Sequence, residues 1–201
     1  HLELLRYFGI DDLLDETTAP AIWDRANEML AGPHFRVRGL LERANVKVVC
    51  TTDDPADPLA AHAAIAADAG CPTKVYPTFR PDRAMRVDDP VGFRDWVGAL
   101  EAASGVSCES FGGFLHALAD RHDFFHEMGG RLSDHGLGAC PRAYASEKKA
   151  RKIYTDALDG RAADPEDAEK FAGFLMLFFG HLDAEKGWTK QLHLGALRNN
   201  N

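Results

Sequence analysis

The sequence lacks an apolar run long enough to cross a membrane as a helix. Such a span needs about 20 apolar residues, whereas the best candidate, FAGFLMLFFGHL at 171–182, is shorter and is flanked by charges. This stretch therefore predicts a buried helix, and we expect no membrane partner. A signal-peptide pattern is also absent, and His1 stands where an initiator methionine would, which favours an excised segment.

Cysteine is scarce. The four cysteines lie far apart without a CxxC pair, at Cys50, Cys71, Cys108 and Cys140. This pattern is typical of reduced thiols in a cytoplasmic protein, with secreted disulfides as the alternative.

Positive charge is in deficit, with 23 Lys and Arg against 31 Asp and Glu and a net charge of −8. Nucleic-acid binding requires a basic face, so no nucleic-acid partner is expected. An anionic small molecule is not excluded, since a few local arginines decide its binding. The phosphate-loop, GxGxxG and GxSxG patterns are absent as well.

Helical patterns fill residues 1–45. The second of three segments has Thr17 or Thr18 as a cap, Pro20 at an early helical position and Gly32 as a stop. From Val46 onward, short apolar runs alternate with helical stretches, and these runs are VKVVC (46–50), TKVYPTF (73–79), GRLSDHG (130–136) and TKQLHLGAL (189–197).

This alternation implies parallel βαβ units. It predicts an α/β fold with about four parallel strands and flanking helices, which is part of a (β/α)8 TIM barrel or a small open doubly wound sheet. We expect residues 1–45 to be a helical segment and residues 46–201 to be the barrel units, together forming one domain.

Polar residues follow each predicted strand, and the carboxyl ends of parallel strands gather on one face where sites form. These residues are Thr51, Thr52, Asp53, Asp54, Arg80, Asp82, Asp134, His135, His193 and Arg198.

Each of them has a structural alternative. In TTDDP (51–55), Asp53 or Asp54 caps the next helix, or a side chain faces the pocket. Arg80 binds a carboxylate through two hydrogen bonds or forms an ordinary salt bridge. His135 binds a divalent metal, transfers a proton, or is structural. His122 and His126, four residues apart, suit zinc, but HDFFH lacks the glutamate of a metalloprotease helix.

The run QLHLGALRNNN (191–201) alternates as a strand does. Gln191 and His193 are expected to face the barrel interior, while Leu192 and Leu194 pack on the helices. Arg198 is expected in the loop above.

Five motifs in this order resemble one family: LRYFGID, TTDDP, PTFRPD, LSDHGL and QLHLGALRNNN. The chain resembles uronate isomerase (glucuronate isomerase) of the amidohydrolase superfamily over essentially its whole length. The resemblance implies a barrel more than twice as long. It also implies conversion of D-glucuronate to D-fructuronate and of D-galacturonate to D-tagaturonate.

The resemblance further implies a divalent metal, usually zinc, held partly by an HxH pair on the first strand and an aspartate on the last. The sequence contains no HxH, so the chain resembles the central part of the enzyme and is expected to be inactive alone.

Carried over by motif, Arg80 and Arg198 would bind the uronate, His193 would be catalytic and His135 would be a metal ligand. A homo-oligomer is possible. The alternatives are a metal-dependent hydrolase of the same superfamily and a non-catalytic sugar-acid-binding α/β domain.

Overall fold

A computed structural model of the chain describes residues 1–195, and Arg198 lies outside the described residues. The helices are α1 (Ala19–Ala31), α2 (Val37–Arg43), α3 (Ala60–Ala67), α4 (Pro90–Ser104), α5 (Phe111–Glu127), α6 (Glu147–Leu158) and α7 (Pro165–Lys186). The strands are β1 (Val48–Cys50), β2 (Lys74–Tyr76), β3 (Leu132–Leu137) and β4 (Thr189–Leu194). Shorter helical turns are Leu4–Phe8, Pro33–Phe35 and Asp82–Met85.

The described chain forms two compact units. The first contains His1–Val49 and Asp68–Lys74, and the second contains Cys50–Ala67 and the chain from Val75 onward. The predicted division into a helical segment and barrel units within one domain stays a prediction.

In the first unit, the helical pattern of the sequence is confirmed. The opening turn ends at Gly9, which adopts the left-handed conformation at φ +62°, where glycine carries no steric cost. Helix α1 has Pro20 in its first turn and ends before Gly32, as the sequence predicts. The rings of Phe8 and Phe35 stack with centroids 5.0 Å apart.

In the second unit, four parallel strand segments lie side by side in chain order. Asp53 bridges Phe79, Phe79 bridges Ser133, and Ser133 is the register partner of Lys190 on β4. The four predicted strands therefore exist and pair in parallel. This arrangement confirms the α/β class, because parallel neighbours joined by helices are the βαβ signature.

The core of the second unit packs the strands against α5 and α7. Phe79, which is completely buried, contacts the rings of His122, Phe125 and Phe179 edge-on at 5.2 to 6.0 Å between centroids. Burying an aromatic side chain of this size stabilises the fold by about 1.5–3 kcal/mol. Because the side chains of successive strand residues alternate between faces, anchoring Phe79 to the helices turns Arg80 to the opposite face.

Helix α7 confirms the buried-helix prediction for residues 171–182. Phe171, Leu175 and Phe179 are buried in the core, at the four-residue spacing of one helical face. Within residues 1–195, no helix is both long and apolar enough to cross a membrane.

The exposure of two leucines on β4 shows that one detail of the sequence prediction is wrong. Leu192 and Leu194 were expected to pack on the helices, but they are 43% and 49% exposed. The physical reason is that β4 is the last strand of the row in the described chain, so its far side contacts no further strand.

Candidate active site

Arg80, which follows β2, meets Asp134 of the neighbouring strand β3. Nη2 of Arg80 donates a hydrogen bond of 2.6 Å to Oδ2 of Asp134, whose side chain is 7% exposed. The hydroxyl of Thr52 donates to the same oxygen at 3.4 Å. Three neighbouring strand segments thus contribute side chains to one place, although Asp134 lies within β3 and not at its end as the sequence predicts.

His193 joins this cluster from β4. Its Nε2 lies 3.0 Å from Oδ1 of Asp134. Its register partner is Gly136, which has no side chain to obstruct the imidazole, and the register partner of Asp134 is Gln191. His193 and Gln191 therefore share the inward face of the sheet with Asp134, as their alternation predicts.

Asp82, which the sequence indicates only as one of several strand-end residues, lies close to three groups of this site. Its Oδ2 accepts a 2.8 Å hydrogen bond from the backbone N–H of Gly136 and lies 3.8 Å from Nε of Arg80. Its Oδ1 lies 3.7 Å from Nδ1 of His135. Burial alone would raise the pKa of Asp82, but the His135 imidazole, the Gly136 amide and the charge of Arg80 together hold that pKa below its ordinary value.

A cavity opens beside Asp82. Its volume is about 400 Å³, and its lining includes Asp82, Gly136 and the arginines Arg83 and Arg86. A sugar acid is small enough for a space of this size, and the wall carries both signs of charge.

The TTDDP turn after β1 is mostly structural. Asp53 accepts hydrogen bonds from the Thr51 hydroxyl at 2.6 Å and from the backbone N–H of Thr78 at 3.3 Å. It therefore ties the first strand segment to the second, and Thr52 is the residue of this turn that reaches Asp134.

Asp54 does not cap the next helix, contrary to one interpretation of the motif. Its carboxylate accepts hydrogen bonds from Nε1 of Trp96 at 2.8 and 3.0 Å and from the backbone N–H of Ala56 at 2.9 Å, while α3 begins only at Ala60. Burial raises the pKa of Asp54. The reason for the difference is that a tight turn separates Asp54 from the helix.

Unpaired buried polar atoms concentrate at this place. Among the described residues, five buried side-chain atoms have no aligned hydrogen-bond partner, and four of them lie here: Nε of Arg80, Oδ1 of Asp82, Oδ1 of Asp134 and Nδ1 of His135. Native proteins leave few such atoms, and each needs an explanation, because an unpaired buried polar group costs about 1–3 kcal/mol. These donors and acceptors are available to a bound ligand or to water.

His135 faces the helices and not the Arg80 side of the sheet. Its side chain is completely buried, and its ring stacks on Phe179 of α7 with centroids 5.9 Å apart. Nε2 of His135 lies 3.3 Å from Nζ of Lys190. The structure therefore brings Arg80 and His135 to Asp82 from opposite faces. The prediction that His135 binds a metal stays a prediction.

Behind His135 lies a buried network of polar side chains that the sequence analysis did not predict. Nζ of Lys190 lies 3.1 Å from Oδ2 of Asp183, which also accepts a 2.7 Å hydrogen bond from the Ser133 hydroxyl. Nε2 of His122 lies 3.1 Å from Oδ1 of the same aspartate. The available signal was Asp183 itself, which follows the apolar stretch of α7 one turn after Phe179.

Burial and neighbouring charges shift the pKa values of Asp183 and Lys190 in opposite directions. Burial alone would raise the pKa of Asp183, but hydrogen bonds from His122 and Ser133 and the charge of Lys190 hold that pKa below its ordinary value. Burial lowers the pKa of Lys190, although Asp183 partly offsets this. Asp183 therefore partly offsets the effect of burial on Lys190, and Lys190 in turn helps to keep Asp183 ionised.

His122 and His126 behave as structural histidines. The ring of His122 packs on Trp188 with centroids 4.0 Å apart, and Nδ1 of His126 accepts a 3.0 Å hydrogen bond from Nε1 of Trp188. Over residues 1–195, no group of three or more His, Cys, Asp or Glu side chains is placed to hold a metal ion. The described residues by themselves therefore do not form a complete metal site.

Comparisons with known proteins agree with this picture. The model of the glucuronate isomerase family matches residues 1–201. The chain is 55% identical to a uronate isomerase of Solibacter usitatus over 200 residues, covering 100% of this chain and 43% of that protein. It is 52% identical to a uronate isomerase of Opitutus terrae, of which it covers 42%. The chain thus spans about two fifths of the length of these relatives.

Two solved structures also match. The uronate isomerase of Thermotoga maritima superposes with a TM-score of 0.87 at 36% identity, covering 99% of this chain and 43% of that one. The glucuronate isomerase of Caulobacter crescentus gives a TM-score of 0.87 at 28% identity, covering 100% and 41%. These matches confirm the predicted fold, part of a (β/α)8 barrel. The chain belongs to the glucuronate isomerase family.

Proposed function

We propose that this chain is the central segment of a uronate isomerase of the amidohydrolase superfamily. The full-length enzyme converts D-glucuronate to D-fructuronate, and D-galacturonate to D-tagaturonate. One observation carries the proposal: Arg80, Asp82, Asp134 and His193 converge from neighbouring strands and the turn after β2 and include buried polar atoms without an aligned partner. Such a constellation suits a small, charged, hydroxyl-rich ligand.

Arg80 is proposed to bind the uronate carboxylate, together with Arg198. In the described structure, the guanidinium of Arg80 uses Nη2 on Asp134, while its buried Nε donates to no aligned acceptor. A guanidinium binds carboxylates through parallel N–H donors, and Nε is one of the donors for that fork. The salt bridge to Asp134 orients the group, so the structural and the functional interpretations of Arg80 are compatible.

His193 is proposed to be the catalytic residue that moves a proton. In the aldose–ketose reaction, a proton leaves C2, an enediol forms, and a proton is delivered to C1. Imidazole suits both steps because its ordinary pKa is near 6.5. Asp134, 3.0 Å from Nε2 of His193, stabilises the imidazolium that forms when the ring accepts a proton.

Asp82 is proposed to bind substrate hydroxyls. It is a carboxylate with one oxygen paired to Gly136 and the other without an aligned donor. A lowered pKa keeps it ionised, so it accepts hydrogen bonds and does not donate them.

A divalent metal, which we propose to be zinc, would steady the substrate oxygens when bound. The described residues provide no complete ligand set, so we propose that most ligands come from parts of the full-length enzyme beyond this sequence. His135 stays the predicted contribution of this chain. We also propose a cytoplasmic location, and assembly into a homo-oligomer stays a prediction.

The deciding experiment is a coupled assay on the full-length enzyme, in which a fructuronate reductase oxidises NADH as D-glucuronate is converted. We expect turnover with glucuronate and none with glucose, which lacks the carboxylate. Two other outcomes would contradict the proposal. Calorimetric binding of glucuronate without turnover, with and without zinc, would indicate a sugar-acid-binding protein. Hydrolysis of a lactone or amide would indicate a hydrolase.

A further inference from the structure

Lys190 approaches His135 from the side opposite to Asp82. The ammonium lies 3.3 Å from Nε2 of His135, and Oδ1 of Asp82 lies 3.7 Å from Nδ1 of the same ring. The imidazole thus sits between a cation on one nitrogen and a carboxylate on the other. These three residues lie on β3, on β4 and in the turn after β2, so only the folded sheet places them in line.

The hydrogen-bonding capacity of these groups leaves one arrangement. An ammonium has only donors, so when Lys190 is protonated Nε2 of His135 accepts from it and carries no proton itself. The proton of the neutral ring is then on Nδ1, which is the nitrogen that faces the carboxylate of Asp82. In a neutral imidazole, the partner of one nitrogen decides which nitrogen is protonated.

The surroundings keep Lys190 in the ammonium form and in this position. Asp183 lies 3.1 Å from Nζ and is fixed by hydrogen bonds with Ser133 and His122. Phe179, one turn before Asp183 on α7, covers the face of the His135 ring, and Nζ of Lys190 lies 6.0 Å from the centroid of the same phenyl ring. If the lysine turned to water, the buried Asp183 would lose the ammonium that balances its charge.

We propose that Lys190, held by Asp183, is a positioning residue that fixes the proton of His135 on Nδ1 and directs that N–H toward Asp82. Lys190 touches no substrate in this role. It acts through His135 on the Asp82 carboxylate, which is proposed to bind the sugar hydroxyls. The kinetic consequence of this role therefore rests on the proposed function. Lys190 contacts Nε2 and Nδ1 faces Asp82 at 3.7 Å, so this arrangement is an alternative to the predicted role of His135 as a metal ligand.

The first test reads the tautomer directly. The full-length holoenzyme with 15N-labelled histidine is studied by long-range 1H–15N correlation NMR, and the His135 signals are assigned by their loss in His135→Gln. We expect the pattern of a neutral ring protonated on Nδ1. A ring protonated on Nε2, or signals that move when a chelator removes the metal, would overturn the inference, and the latter would support the ligand prediction.

The second test removes the ammonium. Lys190→Met keeps the length of the side chain but has no donor, so we expect a mixture of both tautomers. We also expect kcat to be at least about 10-fold lower, with KM changed less than kcat, because an Asp82 carboxylate that loses its fixed orientation misaligns the bound substrate for proton transfer. Lys190→Arg retains a cationic donor and should keep the Nδ1 tautomer and restore part of kcat. Lys186→Met is the matched control, since Lys186 is also partly buried but pairs with Asp123.

The outcomes separate the two proposals. An unchanged tautomer and unchanged kcat in Lys190→Met would overturn the positioning role. If the full-length enzyme does not isomerise uronates, the proposed function fails, while the NMR arm still tests Lys190. If Lys190→Met does not fold, the wild-type tautomer and the Lys190→Arg spectrum still decide the question, because both use folded protein.

Discussion

The guanidinium of Arg80 donates a 2.6 Å hydrogen bond to the carboxylate of Asp134, across 54 residues of sequence. The two side chains are 22% and 7% exposed. Each therefore depends on the other for its charge balance, and this pair supports the inward face on which His193 also lies.

Two substitutions of Arg80 separate the effect of its positive charge from the effect of its forked hydrogen-bonding geometry. In the full-length enzyme, Arg80→Lys keeps the cation but loses the fork, and we expect KM for glucuronate to rise about 10-fold or more. Arg80→Met should also destabilise the protein, by up to about 3–5 kcal/mol, since it removes the arginine that balances the charge of the buried Asp134. Steady-state kinetics and thermal melting measure the two effects. Arg142→Lys, at an 89% exposed arginine, is the control, and an unchanged KM in Arg80→Lys would remove Arg80 from the binding site.

His193→Asn tests proton transfer at β4. A positioned general acid or base contributes about 10²- to 10⁴-fold to the rate, so we expect kcat to fall by at least about 100-fold with KM within a few-fold of the wild type. His116→Gln is the control, because His116 is 67% exposed and pairs with Asp120 on its own helix. A kcat near the wild-type value in His193→Asn would show that another group moves the proton.

Arg198→Met tests the residue that lies outside the described part of the chain. The motif resemblance places Arg198 near the substrate, so loss of its charge should both raise KM and lower kcat sharply. Comparison with Arg80→Met shows whether the two arginines act on the same carboxylate, because their effects should then be less than additive. Wild-type kinetics in Arg198→Met would exclude it from the site.

The buried aspartate Asp183 predicts an acid-sensitive contribution to stability. Its pKa is lowered in the folded state, so its stabilisation is fully present above the ordinary carboxyl value of about 3.9 and is lost as pH falls through the folded pKa. We expect Asp183→Asn to lower the melting temperature of the full-length enzyme most at neutral pH, with the difference from wild type shrinking below about pH 4. Asp120→Asn, at an exposed ion pair, should show little effect. A melting-temperature difference that shrinks below about pH 4 would agree with the lowered pKa of Asp183. A difference that grows toward low pH would contradict it.

The chain alone is predicted to be inactive. Expressed as residues 1–201, it should show no uronate isomerase turnover with or without added zinc, because the described part contains no complete metal-ligand set. The half-exposed leucines of β4 predict association or aggregation of the isolated chain, which size-exclusion chromatography measures. Metal-dependent turnover by this segment would contradict the prediction.

Local patterns predicted the strands, helices and strand-end positions well. Period-two and helical spacings report which faces are buried, and Gly9 and Pro20 act through backbone preferences that do not depend on distant residues. The same reasoning offered Asp53 or Asp54 as a cap of the next helix, and this alternative is wrong for Asp54, whose actual partner, Trp96, lies 42 residues away. It also could not show that Asp82 lies between Arg80 and His135.

The sequence by itself determined the α/β class, the family and the residues with chemistry at the strand ends, because periodicity and motif order are written in neighbouring residues. Only the tertiary structure decided on which face of β3 each side chain lies, and so which residues share a partner. Asp134 turns toward Arg80 and His193, while His135, the next residue, turns toward Lys190 and α7. Adjacent strand residues point in opposite directions, and the packing of Phe79 and Phe179 against the sheet fixes which direction is which.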